Sequence, residues 1–189
     1  MTLSAENKNK LKDIKSILYG MEIDYERGNI DHGLDKIKTD IPLIDLHHQE
    51  LLELVIALFR MLDSSKLDEN KLKSQLEELI VYSLEHFAYE EKLMQEAGYP
   101  DIDKHRHQHN NFNLKLNDFL SELNAQVELY DYAVRLNLWL VEWYSAEILH
   151  NDRKMALFLK RRKRKMYAAA GGIGICLVVI LLVLIHKIT

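Results

Sequence analysis

The chain has 189 residues, with two prolines, seven glycines and one cysteine, a composition that suits helices and excludes an intramolecular disulfide framework. Its formal net charge of −4 conceals an asymmetry: seven of the 25 basic residues lie at 160–165 and 187, so 18 bases face 29 acids over residues 1–159, a net charge of −11. An acidic body argues against nucleic acid as a partner, and the lone Cys176 fits a reducing compartment.

Residues 1–29 read as a polar, charged helix of modest apolar content, too charged at the start for a signal peptide. Residues 30–43, with Gly33, Pro42 and "KTDIP", read as a lead-in loop. Four helical patterns follow. The first runs from about Ile44 to Leu62, with Ile44, His48, Leu51, Val55, Leu58 and Leu62 on one stripe. The second runs from about Glu69 to Ala97, with Leu72, Leu76, Leu79, Ser83, His86, Glu90 and Leu93 on its stripe, and "GYP" at 98–100 stops it. The third runs from about Ile102 to Leu123, along Ile102, His105, His109, Phe112, Leu116, Phe119 and Leu123. The fourth runs from about Val127 past Leu159, along Leu129, Tyr132, Leu136, Leu140, Trp143 and Glu147. Short connections between four such patterns predict an all-α, antiparallel four-helix bundle.

The fourth pattern leads into "KRRKRK" at 160–165 and then into 19 uncharged, mostly apolar residues from Tyr167 to Ile185. That is near the ~20 residues a membrane-spanning helix needs. A basic block before the run predicts that its side is cytoplasmic. The expected organisation is an N-terminal helical extension (1–36), the bundle (37–160), a basic juxtamembrane collar (161–166) and a C-terminal transmembrane helix (167–186). This predicts a single-pass protein of the inner, cytoplasmic membrane with the bundle on the cytoplasmic side. The small-residue pairs Ala168/Gly172 and Ala170/Gly174 would allow a homo-oligomer through the membrane helix.

The apolar stripes carry groups that do not belong in an apolar core. His48 interrupts the first stripe, His86 and Glu90 the second, His105 and His109 the third, and Glu147 the fourth, with Asp152 beyond it. A lone core histidine is ordinarily a satisfied core residue. Four helices that each turn such groups inward are another matter, because burying them unpartnered costs several kcal/mol apiece. Metal would satisfy them together. Spacing by four aims two ligands from one helix at one centre, and bundle interiors built this way commonly hold two metals. Imidazole mixed with carboxylate suits iron better than magnesium or calcium and leaves manganese or zinc open.

At these residues the sequence resembles the hemerythrin family, in its bacterial branch, over roughly residues 37–160. "DIPLIDLHHQEL" resembles its first-helix motif, "HFAYEEKLM" the second and "YPDIDKHRHQHNNF" the third. The resemblance implies a four-helix bundle around two non-heme iron ions, oxo- or hydroxo-bridged, that takes up dioxygen. It implies that His48 and His86 hold the oxygen-binding iron, that His105 and His109 hold the other, and that Glu90 and Asp152 bridge.

The fourth motif departs from the family's Trp-Leu-x-x-His-Ile-x-x-x-Asp. Here "WYSAEILHND" (143–152) has Tyr144 for leucine and Glu147 for histidine. A register that starts at "WL" (139–140) leaves this helix without ligands and is rejected. Pairing Glu147 with His150 as a Glu-x-x-His motif lacks the second such pair it would need. Five residues rotate an α-helix by about 500°, which is 140° beyond a full turn. Glu147 and Asp152 therefore converge only through unlike rotamers or a locally widened helix, which predicts a π-bulge near 147–152.

Glu147 as a ligand adds a negative charge, which favours the ferric state. Tyr144 either places a proton-donating hydroxyl near the bound oxygen, as a catalytic residue, or points outward along the helix. Glu91 reads as solvated, and His32, His47, His107 and His186 as surface or membrane-interface residues. Two functions compete. One is a membrane-anchored di-iron protein that binds dioxygen for storage, sensing or delivery to a membrane oxidase. The other, favoured by Glu147 and Tyr144, is a di-iron oxidoreductase acting on oxygen, peroxide or ferrous iron. A signalling module is a third reading, weakened because no output domain is evident.

Overall fold

The computed structural model describes residues 4–23, 35, 37–63, 67–125 and 128–166, and every regular element among them is helical. Helix α1 (Ala5–Gly20) starts at Ser4, whose hydroxyl accepts the Asn7 N–H at 3.1 Å. Helix α2 (Pro42–Arg60) begins with proline at its first turn, where the missing N–H costs nothing. Asp45 fastens the segment before it by accepting from the Thr39 N–H at 2.6 Å and the Thr39 hydroxyl at 2.7 Å. A 3₁₀ turn, Met61–Asp63, ends α2. Helix α3 (Glu69–Ala97) is capped by Asp68 and stops at Gly98, whose φ of 62° is a left-handed conformation that costs glycine little. Helix α4 (Ile102–Leu123) and helix α5 (Leu129–Ala146) follow. A π-helical turn, Glu147–Asp152, continues α5, and helix α6 occupies residues 153–166.

In the bundle α2 packs on α3 and α5, and α4 packs on the same two, so the four close a ring. The predicted boundaries of the second and third helices are met, while the first starts two residues earlier, at Pro42. The stripes point inward as expected, except that Leu93, Ile102, Leu129 and Trp143 are only partly buried. The main apolar core runs from Leu51 and Leu52 through Leu76, Leu79, Leu116, Leu136 and Leu140. A smaller core of Ile44, Met94, Tyr99 and Met155 fills the other end. The polar residues of the stripes lie in the layer between the two.

Helix α1 is more than an extension. It packs along α5, and Ile14 and Leu18, with Met21 and Ile23 after them, are buried in the main core. The charged face of α1 dominates its sequence and hides how effective this narrow apolar stripe is. Residues 24–29 of the predicted first helix lie outside the described residues.

Among the described residues no helix is long and apolar enough to cross a membrane. The predicted membrane helix (167–186), with Ala168, Gly172, Ala170 and Gly174, lies outside them. The collar residues fall on α6, where Arg161, Arg164 and Lys165 are exposed and Lys160 pairs with Asp40.

Candidate metal centre

Every ligand position predicted on the stripes converges in the layer between the two cores. His48 comes from α2, His86 and Glu90 from α3, His105 and His109 from α4, and Glu147 and Asp152 from the two ends of the π turn. All seven are buried, none more than 3% exposed. The π turn is the device that makes the last pair work. With more residues to the turn it rotates less per residue, and so brings positions five apart toward one face, which an α-helix would not do.

Potential ligand atoms fall into groups that share two carboxylates. His48, His86, Glu90 and Asp152 form one group, Glu90, His105 and His109 a second, and His105, Glu147 and Asp152 a third, with the atoms of each within 4.8 Å of one another. Asp152 Oδ2 lies 3.2 Å from His48 Nε2, while its Oδ1 lies 3.4 Å from His105 Nε2. Glu90 likewise reaches both sides, with Oε1 3.9 Å from His48 Nε2 and Oε2 3.3 Å from His105 Nε2 and 3.5 Å from His109 Nε2. Glu147 Oε1 approaches only the second side, 3.4 Å from His105 Nε2 and 3.8 Å from His109 Nε2. Glu90 and Asp152 thus stand between the His48 side and the His105 side, while Glu147 stands with His105 and His109.

Burial disfavours charge on most of these groups. Burial, and then the charge of Asp152, push the Glu90 carboxyl well above the usual range. The same two causes bring Glu147 to about 7, against the Asn151 amide, which donates to Glu147 Oε2 at 2.8 Å. Burial lowers His86 far below the ordinary imidazole value and takes His109 to about 2, with neighbouring histidines adding to both. His48 is pulled down by burial, but Asp152, together with Glu90 and Asp45, outweighs this and leaves it raised. The buried Nε2 atoms of His48 and His109, Glu90 Oε1, Glu147 Oε1 and both Asp152 oxygens have no hydrogen-bond partner. Unpaired buried donors and acceptors of this kind are costly, and coordinated cations would satisfy them together.

Aromatic rings wall the site. Phe87 stacks on His109 with centroids 3.8 Å apart, and Phe112 and Trp143 lie behind it, 3.9 Å from each other. His47 is half-buried and not fully at the surface, and its ring meets Tyr82, His86 and Tyr89 edge-on at 5.6–5.7 Å. Glu91 corrects another expectation. It is 28% exposed, yet its Oε1 lies 3.0 Å from His109 Nδ1 and its Oε2 accepts from Arg106 Nε at 3.2 Å. Neither residue stands on an apolar stripe, so only the adjacency of Glu91 to Glu90 and of His47 to His48 could have drawn notice. His107 and His150 are exposed and apart from the cluster, while His32 and His186 lie outside the described residues.

Tyr144 takes neither of its two expected places. Its ring is buried, not outward, and its hydroxyl donates to the His48 carbonyl oxygen at 2.6 Å instead of toward the ligand atoms. That proton ties α5 to the backbone of a ligand-bearing turn of α2.

The fold and this buried set of imidazoles and carboxylates define a cation-binding helical bundle. Residues 39–157 match the Hemerythrin HHE cation binding domain, and the chain belongs to that family. A bacteriohemerythrin of Stenotrophomonas maltophilia is 26% identical over 122 residues, covering 65% of this chain and 76% of its own length. One of Pseudomonas paraeruginosa is 29% identical over 119 residues, covering 62% and 74%. One of Campylobacter jejuni is 26% identical over 129 residues, covering 68% and 95%. A crystal structure of a leucine-to-phenylalanine mutant shares the fold, with a TM-score of 0.54 at 23% identity over 64% of this chain and 89% of that one.

Proposed function

We propose that this chain is a non-heme di-iron protein that binds dioxygen, held at the cytoplasmic face of the inner membrane by its C-terminal apolar run. The observation that carries the reading is the set of three ligand groups linked through Glu90, Asp152 and His105, with their unpartnered buried atoms. It agrees with the bacteriohemerythrins among the relatives. His48 and His86 would hold one ion, His105, His109 and Glu147 the other, and Glu90 and Asp152 both. When bound, a ferrous pair supplies the electrons with which dioxygen is taken up. Fewer side chains would hold the first ion than the second, which would leave room for dioxygen on the His48–His86 side. Phe87, Phe112 and Trp143 keep water from the imidazoles, and Tyr144 holds the His48 turn in place.

A second reading, an oxidoreductase acting on oxygen, peroxide or ferrous iron, is favoured by Glu147. A carboxylate where the family has imidazole adds negative charge and stabilises the oxidised pair. The test is to reduce the iron-loaded chain without air, add one equivalent of oxygen and follow the visible spectrum. A lasting oxygen-dependent band that vanishes under vacuum supports carriage. Rapid passage to a stable oxidised spectrum supports turnover. Glu147→His is expected to lengthen the life of any such band, and identical behaviour of both proteins would refute the charge argument.

Membrane attachment, with residues 37–160 as the metal-binding unit, rests on the sequence: the apolar run at 167–185 directly after the basic collar. The full chain is expected to stay with membranes after alkaline extraction, and a chain ending at 166 is expected to leave them. Equal partitioning of the two would end the proposal. A membrane oxidase or a second copy of the chain are the partners this placement makes available.

A further inference from the structure

The two halves of the centre are supported unequally from outside. His48 Nδ1 and His86 Nδ1 are buried without a hydrogen-bond partner. His109 Nδ1, by contrast, faces Glu91 Oε1 at 3.0 Å. A carboxylate can only accept, so Nδ1 carries the proton and Nε2 keeps its lone pair directed at Glu90 and Glu147. Glu91 is itself fixed by Arg106, which donates from Nε to Glu91 Oε2 at 3.2 Å and from Nη2 to Gln95 Oε1 at 3.0 Å. Phe87, stacked on the His109 ring, keeps the imidazole from turning away from this partner. The same side also has the extra ligand, Glu147, whose other oxygen is held by Asn151. One half thus combines three ligands of its own, an added negative charge and an oriented imidazole. The other has two imidazoles whose outer nitrogens are bare.

We propose that Glu91 is a positioning residue for His109, and that with Glu147 it makes the His105–His109 half the first to load with metal. The first ion then neutralises part of the charge on the shared Glu90 and Asp152, so the second ion enters the His48–His86 half with lower affinity. The inference rests on the two-metal reading of the site.

The experiment is a titration of the metal-free full chain with cobalt(II) against a competing chelator, read by the visible absorption of the bound ion. The unsubstituted chain is expected to take up two ions in resolved steps, and His48→Ala is expected to abolish the weaker one alone. Glu91→Ala is expected to weaken the tighter step about 10–100-fold and leave the weaker step in place. Glu91→Gln, which keeps an acceptor for Nδ1 without its charge, is expected to fall between the two and guards against loss through misfolding. A tighter step of unchanged affinity in Glu91→Ala overturns the role of Glu91, as does equal weakening of both steps. Uptake of a single ion by the unsubstituted chain counts instead against the two-metal reading on which the inference rests.

Discussion

At the scale of single residues, the departures from the family pattern are where the chain is most particular. Tyr144 is an example. Its hydroxyl meets the His48 carbonyl, an oxygen that also belongs to the ladder of α2, so losing it leaves no wholly unpaired acceptor. Tyr144→Phe is therefore expected to cost only about 1 kcal/mol, the ordinary worth of a hydrogen bond. Urea unfolding of the metal-free chain would measure it, and a loss of several kcal/mol would contradict this account. The buried imidazoles and carboxylates of the cluster are legible in the sequence because all but Asp152 put a charged or imidazole group on a stripe that is otherwise mostly leucine, isoleucine or phenylalanine. Glu91 and Asn151 could not be read that way. They are half-exposed polar residues on polar faces, and only the packing of α3 against α4, or the turn around 147–152, gives them a partner.

At the scale of elements, helix positions follow from stripes and stop signals, and the π turn follows from a spacing of five that an α-helix cannot serve. The place of α1 does not follow. An amphipathic helix has the same pattern whether its apolar side meets the bundle or waits for another partner. Here Leu18 is buried in the core shared with α5, so α1 is expected to unfold together with the bundle. Leu18→Ala is expected to cost about 2–5 kcal/mol through the cavity it leaves, lowering a single unfolding transition. A detached extension would instead leave the transition where it was. Helices α4 and α5 are also joined by charge. Arg135 donates through both terminal nitrogens to Glu122 and through Nε to Asp131 at 3.0 Å. The bond from Arg135 holds the Glu122 carboxyl below its usual range. A lowered carboxyl stabilises the fold above its ordinary pKa and loses that contribution as pH falls through the lowered one. Because both side chains are about a third exposed, the effect is at most about 1 kcal/mol. Arg135→Gln is expected to flatten the acid side of the stability profile below about pH 4.5, and an unchanged profile would refute it.

At the scale of the whole molecule, the metal layer separates a large apolar core from a small one, so the ends of the bundle are joined through a polar middle. Without cations that layer holds unpaired buried oxygens and nitrogens. Removing metal should therefore weaken the fold as a unit, not loosen one helix. Because a ligand that binds only the folded chain stabilises it in proportion to the logarithm of its excess, metal at about 100 times its dissociation constant should add about 2.7 kcal/mol. Unfolding by urea with and without a chelator measures the difference, and coincident curves would mean that the layer is not a cation site.

The aromatic wall has an optical consequence. The chain has two tryptophans, and Trp139 and Trp143 both lie against Phe112, one ring away from the Phe87 that covers His109. The ultraviolet emission of the protein therefore originates beside the centre. Ions that absorb in the near ultraviolet, as ferric iron does with oxygen and nitrogen ligands, should quench that emission by energy transfer, whereas zinc(II), which has no such absorption, should leave it nearly unchanged. Loading and oxidation could then be followed by intrinsic fluorescence without a dye or label. Equal emission from the metal-free, zinc-loaded and oxidised iron-loaded chains would show that the indoles are not coupled to the site.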